Sequence, residues 1–346
     1  MLMAILQILL FPFAFLYNAI THFRNRLYDL RIRPSTAFDI PIISVGNLTV
    51  GGTGKSPMIE HLIRLLYNDH KVATLSRGYG RSTKGFRLAT KLDNAETLGD
   101  EPYQFYKKYG NKVIVSVGEE RVLAITNILQ EAEDTDAILL DDAFQHRRVR
   151  PGFSILLCDY NRPFYKDFLL PAGKLRESRS GAARADVVVV TKCPVEISDD
   201  DMMGIEKSIR RYADRPVFFA TIHYGNALPI GDLKAEIRRD IILVSGIADP
   251  SSLIAYVKQG YDLKEHLHFG DHHQYTLDDL KKMESISLRY PGVNFLTTEK
   301  DMVKLESPQF KPYIDRLSFF YLPIEVEFIK NGRDFDELVL NSVRRA

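Results

Sequence analysis

The sequence has few cysteines and little net charge, so it lacks the marks of disulfide-stabilised proteins and of nucleic-acid-binding proteins. It contains only two cysteines, Cys158 and Cys193, and both lie beside apolar, strand-like runs, FSILLC and VVVVTKC. This setting indicates buried thiols in a reducing compartment rather than a disulfide framework. The net charge is only +1, which gives no overall signature of nucleic-acid binding. We therefore expect no nucleic-acid partner.

Internal repeats and low-complexity tracts are also lacking, so the sequence does not indicate a solenoid array or a long disordered tail. The hydrophobic fraction of 45% and the charged fraction of 26% are ordinary for a globular protein. A chain of 346 residues can bury a full core. The composition therefore predicts two domains, or one large α/β domain with an appended lobe.

A glycine-rich run, GNLTVGGTGKSP at 46–57, follows the apolar segment IPIISV and precedes the helical pattern MIEHLIRLLY. A strand, a glycine loop and a helix in this order form a phosphate cradle, because glycines let backbone N–H groups turn inward. Lys55 supplies a mobile cation and Ser56 can hold Mg²⁺. Thr49 stands where the general P-loop pattern has its first glycine. The alternative is a glycine turn with an incidental lysine, and the flanking strand and helix favour the phosphate site.

A second phosphate-site signal is the run DAILLDDAFQH at 136–146, an apolar strand that ends in Asp141 and Asp142. A carboxylate at the carboxyl end of a strand parallel to the P-loop strand can coordinate the Mg²⁺ of a bound nucleotide. The alternative is a strand-end turn formed by the two aspartates. The phosphate loop earlier in the chain favours the metal-binding interpretation.

The order of the segments predicts the fold. Near-continuous β-branched runs such as ADVVVVT alternate with helical patterns, which indicates a mostly parallel sheet with helices on both faces. We expect an α/β, P-loop NTPase-like fold with a smaller C-terminal α/β lobe. The predicted domains are an N-terminal membrane-associated helical segment at 1–36, a P-loop core at 37–225 and the smaller lobe at 226–346.

The N-terminal segment, residues 1–23, is nearly all apolar and is followed by four arginines at 24, 26, 31 and 33. A signal peptide would need positive charge before the apolar run, and a spanning helix is disfavoured by Pro12 and by a polar stripe along one side. The stripe comprises Gln7, Asn18, Thr21 and Asn25. These features predict a helix at the interface of a membrane or packed on the protein, and the arginines favour the anionic, cytoplasmic face. The alternative is a buried core helix.

Each of three further sequence segments allows two interpretations. SRGYGR places Arg77 in a loop after a strand, where it can bind an anion or lie in solvent. LGDEP places Asp100 and Glu101 at a helix start, where stabilisation of the helix end is the favoured explanation from these residues alone. LPAGKLRESR carries basic residues, Arg176 among them, that suit an acidic substrate or a solvated face.

Four histidines, at 266, 268, 272 and 273, cluster in the second lobe. No cysteine accompanies them and their spacing is not that of a helical zinc site, so metal binding is the weaker interpretation. The functional alternative is that one histidine acts as a base, or orients one, in a cleft between the lobes.

Eight motifs occur in a fixed order: TVGGTGKSP, SRGYGR, LGDEP, LLDDAFQH, PAGKLRES, TKCP, GDHH and TTEKD. With these motifs the sequence resembles the tetraacyldisaccharide 4′-kinase family over almost the whole chain. The resemblance implies ATP-dependent phosphorylation of the 4′-hydroxyl of a tetraacylated glucosamine disaccharide 1-phosphate, in lipid A biosynthesis. It also implies a location at the cytoplasmic face of the bacterial inner membrane, as a peripheral or monotopic protein.

The resemblance implies roles for individual residues, with ATP and Mg²⁺ as cofactors. Catalytic roles fall to Lys55, Asp142 and a dyad of Asp100 with His272, chosen over His273 by motif alignment alone. ATP binding falls to Thr49, Gly51, Gly52, Thr53, Gly54, Lys55 and Ser56. Contacts to the lipid A precursor fall to Arg77, Gln145, His146 and Arg176. Metal binding falls to Ser56, Glu101 and Asp141.

Two other classes of function remain open. One is a membrane-associated P-loop NTPase that acts by nucleotide hydrolysis; in that class TKCP would correspond to a base-reading loop, but Pro194 stands where a guanine-specific loop has aspartate. The other is a membrane scaffold in which the glycine loop is only a turn. Mg²⁺-dependent ATP binding would exclude the scaffold, and the phosphate acceptor distinguishes a kinase from a hydrolase.

Overall fold

The protein is described by a computed structural model that covers residues 2–231 and 236–344. The strands are β1 (Ile42–Asn47), β2 (Val72–Ser76), β3 (Arg87–Leu88), β4 (Ile114–Val117), β5 (Ala137–Asp141), β6 (Phe153–Asp159), β7 (Val187–Thr191), β8 (Val217–Tyr224), β9 (Leu228–Pro229), β10 (Asp240–Ser245), β11 (Asp262–His268), β12 (Asn294–Thr298), β13 (Phe319–Leu322) and β14 (Ile324–Phe328). The α-helices are α1 (Leu2–Asp29), α2 (Lys55–Leu66), α3 (Ala95–Leu98), α4 (Asp100–Tyr109), α5 (Arg121–Glu131), α6 (Asp199–Arg210), α7 (Ser251–Gly260), α8 (Leu277–Arg289), α9 (Glu299–Leu305), α10 (Lys311–Leu317) and α11 (Gly332–Arg344).

The larger sheet has the order β14-β8-β7-β6-β1-β5-β2-β4-β3. Its interior strands pair in parallel, and only the edge strands β3 and β14 pair antiparallel to their neighbours. The interior strands are mostly apolar because both faces of the sheet are covered, as in β7, VVVVT, where every residue is buried. The predicted α/β fold with a mostly parallel sheet is confirmed.

Successive residues of β1 show how the sheet is covered. Ile42 packs into a cluster with Ile125 of α5, whereas Ile43 packs on the opposite face with Met58 and Leu62 of α2. Side chains alternate between the faces of a strand, so one strand supplies both cores. β1 lies at the point where the strand order reverses, between β5 and β6, and ligands of such sheets bind at this point, beyond the carboxyl ends of the strands.

The smaller sheet has the order β11-β10-β12-β13-β9 and forms the second lobe. After the smaller sheet, the chain returns to the larger one, where β14 pairs antiparallel with β8. Phe335 and Val339 of α11 then pack in the same cluster as Met58 of α2. At its C-terminal end the smaller lobe is therefore shorter than the predicted range 226–346, because β14 and α11 pack on the larger core. Residues 232–235 and 345–346 of that range lie outside the described residues.

Helix α1 packs on the core by its polar side. Gln7 Nε2 donates to the carbonyl of Ala172 over 3.0 Å, and Asn25 Nδ2 donates to Glu177 Oε2 over 2.7 Å. The apolar side faces outward, and its exposed residues are Leu9, Phe11, Phe13, Phe15, Leu16, Ile20 and Phe23. A buried core helix is therefore wrong for this segment. Within the residues that the structure describes, no helix has the length and apolar character needed to cross a bilayer.

Candidate active site

The glycine loop connects the buried end of β1 to the start of α2. Gly51 and Gly54 have φ angles of 110° and 82°, which residues with a Cβ rarely adopt. A Cβ built at Gly51 or Gly52 would meet no atom within 4 Å, so this stretch of backbone is open to a ligand. Thr49 is buried and forms an isolated antiparallel bridge with Leu175. This extended pairing explains why the position does not need a glycine.

Neighbouring strands hold the glycine loop from behind. Asn47 Nδ2 donates to Thr53 Oγ1 over 2.8 Å, and Thr191 Oγ1 donates to the Thr53 carbonyl over 2.9 Å. Lys192 contacts the Gly52 carbonyl and donates to Asp159 Oδ2 over 2.8 Å. The TKCP run thus supports the loop, and these contacts pre-organise it for phosphate groups.

Lys55, Asp142 and Arg176 meet at the mouth of the loop. Arg176 binds the Asp142 carboxylate through both ends of its guanidinium, with Nη1–Oδ1 and Nη2–Oδ2 distances of 3.0 and 3.1 Å. Lys55 Nζ lies 3.8 Å from Asp142 Oδ2. Two cations around one carboxylate form a charged site that can exchange partners with a phosphate group.

Asp141 lies at the carboxyl end of β5, paired with Val45 of β1. Its side chain is buried; Oδ2 accepts a hydrogen bond from Ser76 Oγ over 3.2 Å, and Oδ1 has no hydrogen-bond partner among the described residues. Burial and, next, the charge of Glu101 raise the pKa of Asp141 to about 7, while Lys55 opposes that shift. A buried carboxylate oxygen without a partner fits a divalent cation, which would favour the ionised form.

The other predicted metal ligands are Ser56 at the start of α2 and Glu101 in the first turn of α4. Within the described ranges, no group of three or more His, Cys, Asp or Glu side chains is placed to hold a metal ion. One hydroxyl and two carboxylates suit Mg²⁺, which keeps several waters and binds substrate phosphates instead of filling an all-protein cage.

Asp100 and His272 face each other across the two lobes. Asp100 is the first residue of α4 and is 5% exposed, and Gly99, not Asp100, is the N-cap residue. His272 Nδ1 lies 3.4 Å from Asp100 Oδ2. His273 points elsewhere: its Nε2 lies 3.0 Å from Asp279 Oδ2, and its ring stacks on Phe269. The structure therefore brings His272, and not His273, to Asp100.

The predicted substrate residues are Arg77, Gln145, His146 and Arg176. Arg176 Nη1 donates to Gln145 Oε1 over 3.3 Å, so these two residues lie together. His146 directly follows Gln145 in the loop after β5, and burial, with the charge of Arg121, lowers its pKa to about 4. The neutral imidazole is thus the form present at pH 7. Arg77 is exposed in the loop after β2, and its charge is one of those that lower the pKa of His146.

Sequence reasoning missed several residues that the structure places at the site. Glu177 is fully buried and accepts hydrogen bonds from Asn25, Gln145 and Arg184. Lys300 Nζ lies 3.0 Å from His272 Nε2. Lys304 is buried 3.9 Å from Asp100 Oδ2. Glu177 lies in the motif PAGKLRES and Lys300 in TTEKD, although neither motif shows which charged residue points inward, and Lys304 lies outside both motifs.

The comparison with known families decides where the chain belongs. A family model described as tetraacyldisaccharide-1-P 4′-kinase matches residues 6–344. The chain belongs to this family. A tetraacyldisaccharide 4′-kinase of Flavobacterium johnsoniae is 45% identical, with 99% of this chain and 98% of that protein covered. A second one, of Bacteroides thetaiotaomicron, is 40% identical, with 97% and 93% covered.

A solved structure is also similar. The crystal structure of the Aquifex aeolicus family member, described as an "apo" form in complex with ATP, matches with a TM-score of 0.76 and 29% sequence identity. The match covers 98% of this chain and 99% of that chain. The likeness therefore includes the P-loop core, the second lobe and the N-terminal helix of the tetraacyldisaccharide-1-P 4′-kinase family.

Proposed function

We propose that this chain transfers the γ-phosphoryl group of ATP to the 4′-hydroxyl of a tetraacylated glucosamine disaccharide 1-phosphate, the reaction after which its family is named. The observation that carries the proposal is the meeting of two sets of groups at one cleft. The glycine loop with Lys55 is built for phosphate groups, and the Asp100–His272 pair supplies a base for a sugar hydroxyl. A hydrolase or a scaffold needs no such base placed for an organic acceptor.

In the proposed mechanism, Lys55 and the loop amides hold the β- and γ-phosphates. Ser56, Glu101 and Asp141 would hold Mg²⁺, which neutralises phosphate charge when it is bound. Asp142 lies beside Lys55, close to where the γ-phosphate would sit. Because phosphoryl transfer needs positioning and charge neutralisation above all, these residues account for the donor side of the reaction.

On the acceptor side, Asp100 accepts the proton of the 4′-hydroxyl while the oxygen of that hydroxyl forms a bond to the γ-phosphorus. The bond between that phosphorus and the bridging oxygen breaks, and ADP leaves with the electron pair. His272 donates a hydrogen bond from Nδ1 to Asp100 and orients the carboxylate. The present separation of 3.4 Å is long for a hydrogen bond, and closure of the lobes on substrates would shorten it.

The proposal places the acyl chains at α1. The substrate cluster of Gln145 and Arg176 lies on loops that contact α1, because Tyr17 OH of that helix donates to the Arg176 carbonyl over 2.7 Å. The exposed phenylalanines of α1 would enter the headgroup and acyl region of the bilayer, with the following arginines near anionic lipid. This arrangement supports peripheral or monotopic attachment at the cytoplasmic face of the inner membrane.

The test uses γ-labelled ATP with three acceptors: the disaccharide 1-phosphate in mixed micelles, the same lipid already phosphorylated at the 4′ position, and water alone. We expect label on the first lipid, none on the second, and only slow release to water. A Lys55→Met variant provides the inactive control. Fast release of phosphate that is independent of lipid would identify a hydrolase and reject the proposal.

A further inference from the structure

Lys300, the second residue of α9, contacts the ring nitrogen of His272 that does not face Asp100. Its Nζ lies 3.0 Å from His272 Nε2, while His272 Nδ1 lies 3.4 Å from Asp100 Oδ2. We propose that Lys300 is a positioning residue that fixes the tautomer of His272, so that the imidazole presents Nδ1–H to Asp100. This inference rests on the proposed role of the Asp100–His272 pair.

With Lys300 as an ammonium, His272 as a neutral imidazole and Asp100 as a carboxylate, the three side chains allow only one arrangement of protons. A lysine ammonium has three donors and no acceptor, so the Nε2 atom of His272 that faces it must carry the lone pair. A neutral imidazole then has its proton on Nδ1, and an ionised Asp100 can only accept. The opposite tautomer would set an N–H against the ammonium and a lone pair against the carboxylate. Both contacts would be repulsive.

Surrounding contacts keep Lys300 in this position. Its Nζ lies 3.5 Å from Asp271 Oδ1 and 3.8 Å from Glu101 Oε1, and its side chain is only 19% exposed. Thr298 caps α9 by accepting a hydrogen bond from the Asp301 N–H over 3.1 Å, which fixes the turn that carries Lys300. The ammonium is therefore held at the junction of the lobes.

The backbone of His272 gives a reason for needing such a device. Its φ angle is 57°, in the left-handed region that few residues other than glycine adopt. A constrained backbone places the ring but leaves its protonation pattern free. The ring of Tyr79, whose centroid lies 5.1 Å away, packs beside it without a hydrogen bond that could select a tautomer. Lys300 supplies that selection.

Lys300 has one competing role, through Glu101. If its purpose were to place Glu101, or to meet a phosphate group directly, its loss would lower activity whether or not His272 were present. If it acts through His272, its loss has nothing left to disturb once the imidazole is gone. A double-mutant cycle therefore separates the two roles.

The experiment compares Lys300→Met, His272→Ala and the double variant in the full-length protein, with Lys282→Met on the exposed side of α8 as the matched control. We expect Lys300→Met to lower kcat about 10²-fold with little change in KM, and to add less than about twofold in the His272→Ala background. Lys300→Arg, which keeps a cationic donor, is expected to recover part of the loss. Additive losses would overturn the proposal.

A second readout needs no substrate. The ¹⁵N shifts of the His272 ring report the tautomer directly, with His272→Ala used to assign the signal. We expect the Nδ1–H form in the wild-type protein and a mixture in Lys300→Met, with unchanged melting temperature. An unchanged tautomer in Lys300→Met would overturn the positioning role. If Asp100→Ala and His272→Ala both keep full kcat, the proposed dyad itself fails, whatever the ring shifts show.

Discussion

Asn25 on α1 donates a hydrogen bond of 2.7 Å to Glu177, a fully buried carboxylate on the loop that also carries Arg176. The N-terminal helix is thus fixed to the protein by its polar side. An ordinary surface helix does the reverse and turns its apolar stripe to the core. A contiguous exposed apolar face such as this one is typical of surfaces that bind a membrane or another protein.

Charging the apolar face should release the protein from membranes. Phe15 and Phe23 are 76% and 66% exposed, and each buried phenylalanine stabilises a bound state by about 1.5–3 kcal/mol. We expect the double variant Phe15→Glu/Phe23→Glu to lower the partition coefficient for anionic vesicles about 10²-fold or more, measured by co-sedimentation. Leu123→Glu/Leu288→Glu, at exposed apolar positions away from α1, serves as the control. Equal binding by all three proteins would remove α1 from the membrane contact.

The dyad makes a second prediction. Asp100→Ala and His272→Ala should each lower kcat about 10²-fold or more, because general-base catalysis contributes on that scale. The kcat of the double variant should be only slightly lower than that of the less active single variant, since the two side chains act as one unit. His273→Ala, which removes the neighbouring ring that contacts Asp279, is expected to keep most of its kcat. Steady-state kinetics on the lipid acceptor decide this, and a product of two separate losses would contradict a shared role.

The orphan carboxylate oxygen of Asp141 makes a third prediction. Asp141→Asn keeps the shape of the side chain and removes the negative charge that suits a divalent cation. We expect the Mg²⁺ concentration for half-maximal activity to rise about tenfold or more, with a parallel loss of Mn²⁺ binding seen by electron paramagnetic resonance in the presence of ATP. Asp136→Asn, an exposed position directly before the other end of β5, is the control. The same Mg²⁺ requirement in both variants would place the cation elsewhere.

The sequence predicted what depends on local pattern. The glycine loop, the aspartates at the end of β5 and the alternation of buried strands with helices follow from neighbouring residues, and the fold class and family are confirmed. The individual site roles stay predictions, although the structure brings Asp100 to His272 and Arg176 to Asp142. Local pattern favoured a helix-end role for Asp100, because its partner lies 172 residues away. The inward orientation of Glu177 and Lys300 depends on tertiary packing, as does the return of β14 to the larger sheet.

A buried charge network lies at the lobe junction, and only one of its three members, Glu299 of TTEKD, belongs to a sequence motif. Lys108 Nζ on α4 lies 2.5 Å from Glu60 Oε2 of the P-loop helix and 2.7 Å from Glu299 Oε1 of α9. Both carboxylates are almost fully buried. Burial, and then the charge of Glu60, raise the pKa of Glu299, while Lys108 opposes the shift. Lys108 therefore makes it possible for two carboxylates to share this site.

Lys108→Met should destabilise the protein in a pH-dependent way. Without the ammonium, two buried carboxylates face each other. Removing one partner of a buried ion pair costs about 3 kcal/mol or more. The pKa of Glu299 is already raised in the folded state and Lys108 opposes that shift, so the variant raises it further. The folded variant then binds a proton that the unfolded chain releases above a pKa of about 4.3. Stability therefore falls as pH rises, and the loss in the free energy of unfolding should be larger at pH 8 than at pH 5. Urea unfolding at both values measures this, with exposed Lys91→Met as the control, and a loss independent of pH would show that Lys108 contributes through packing of its stem alone.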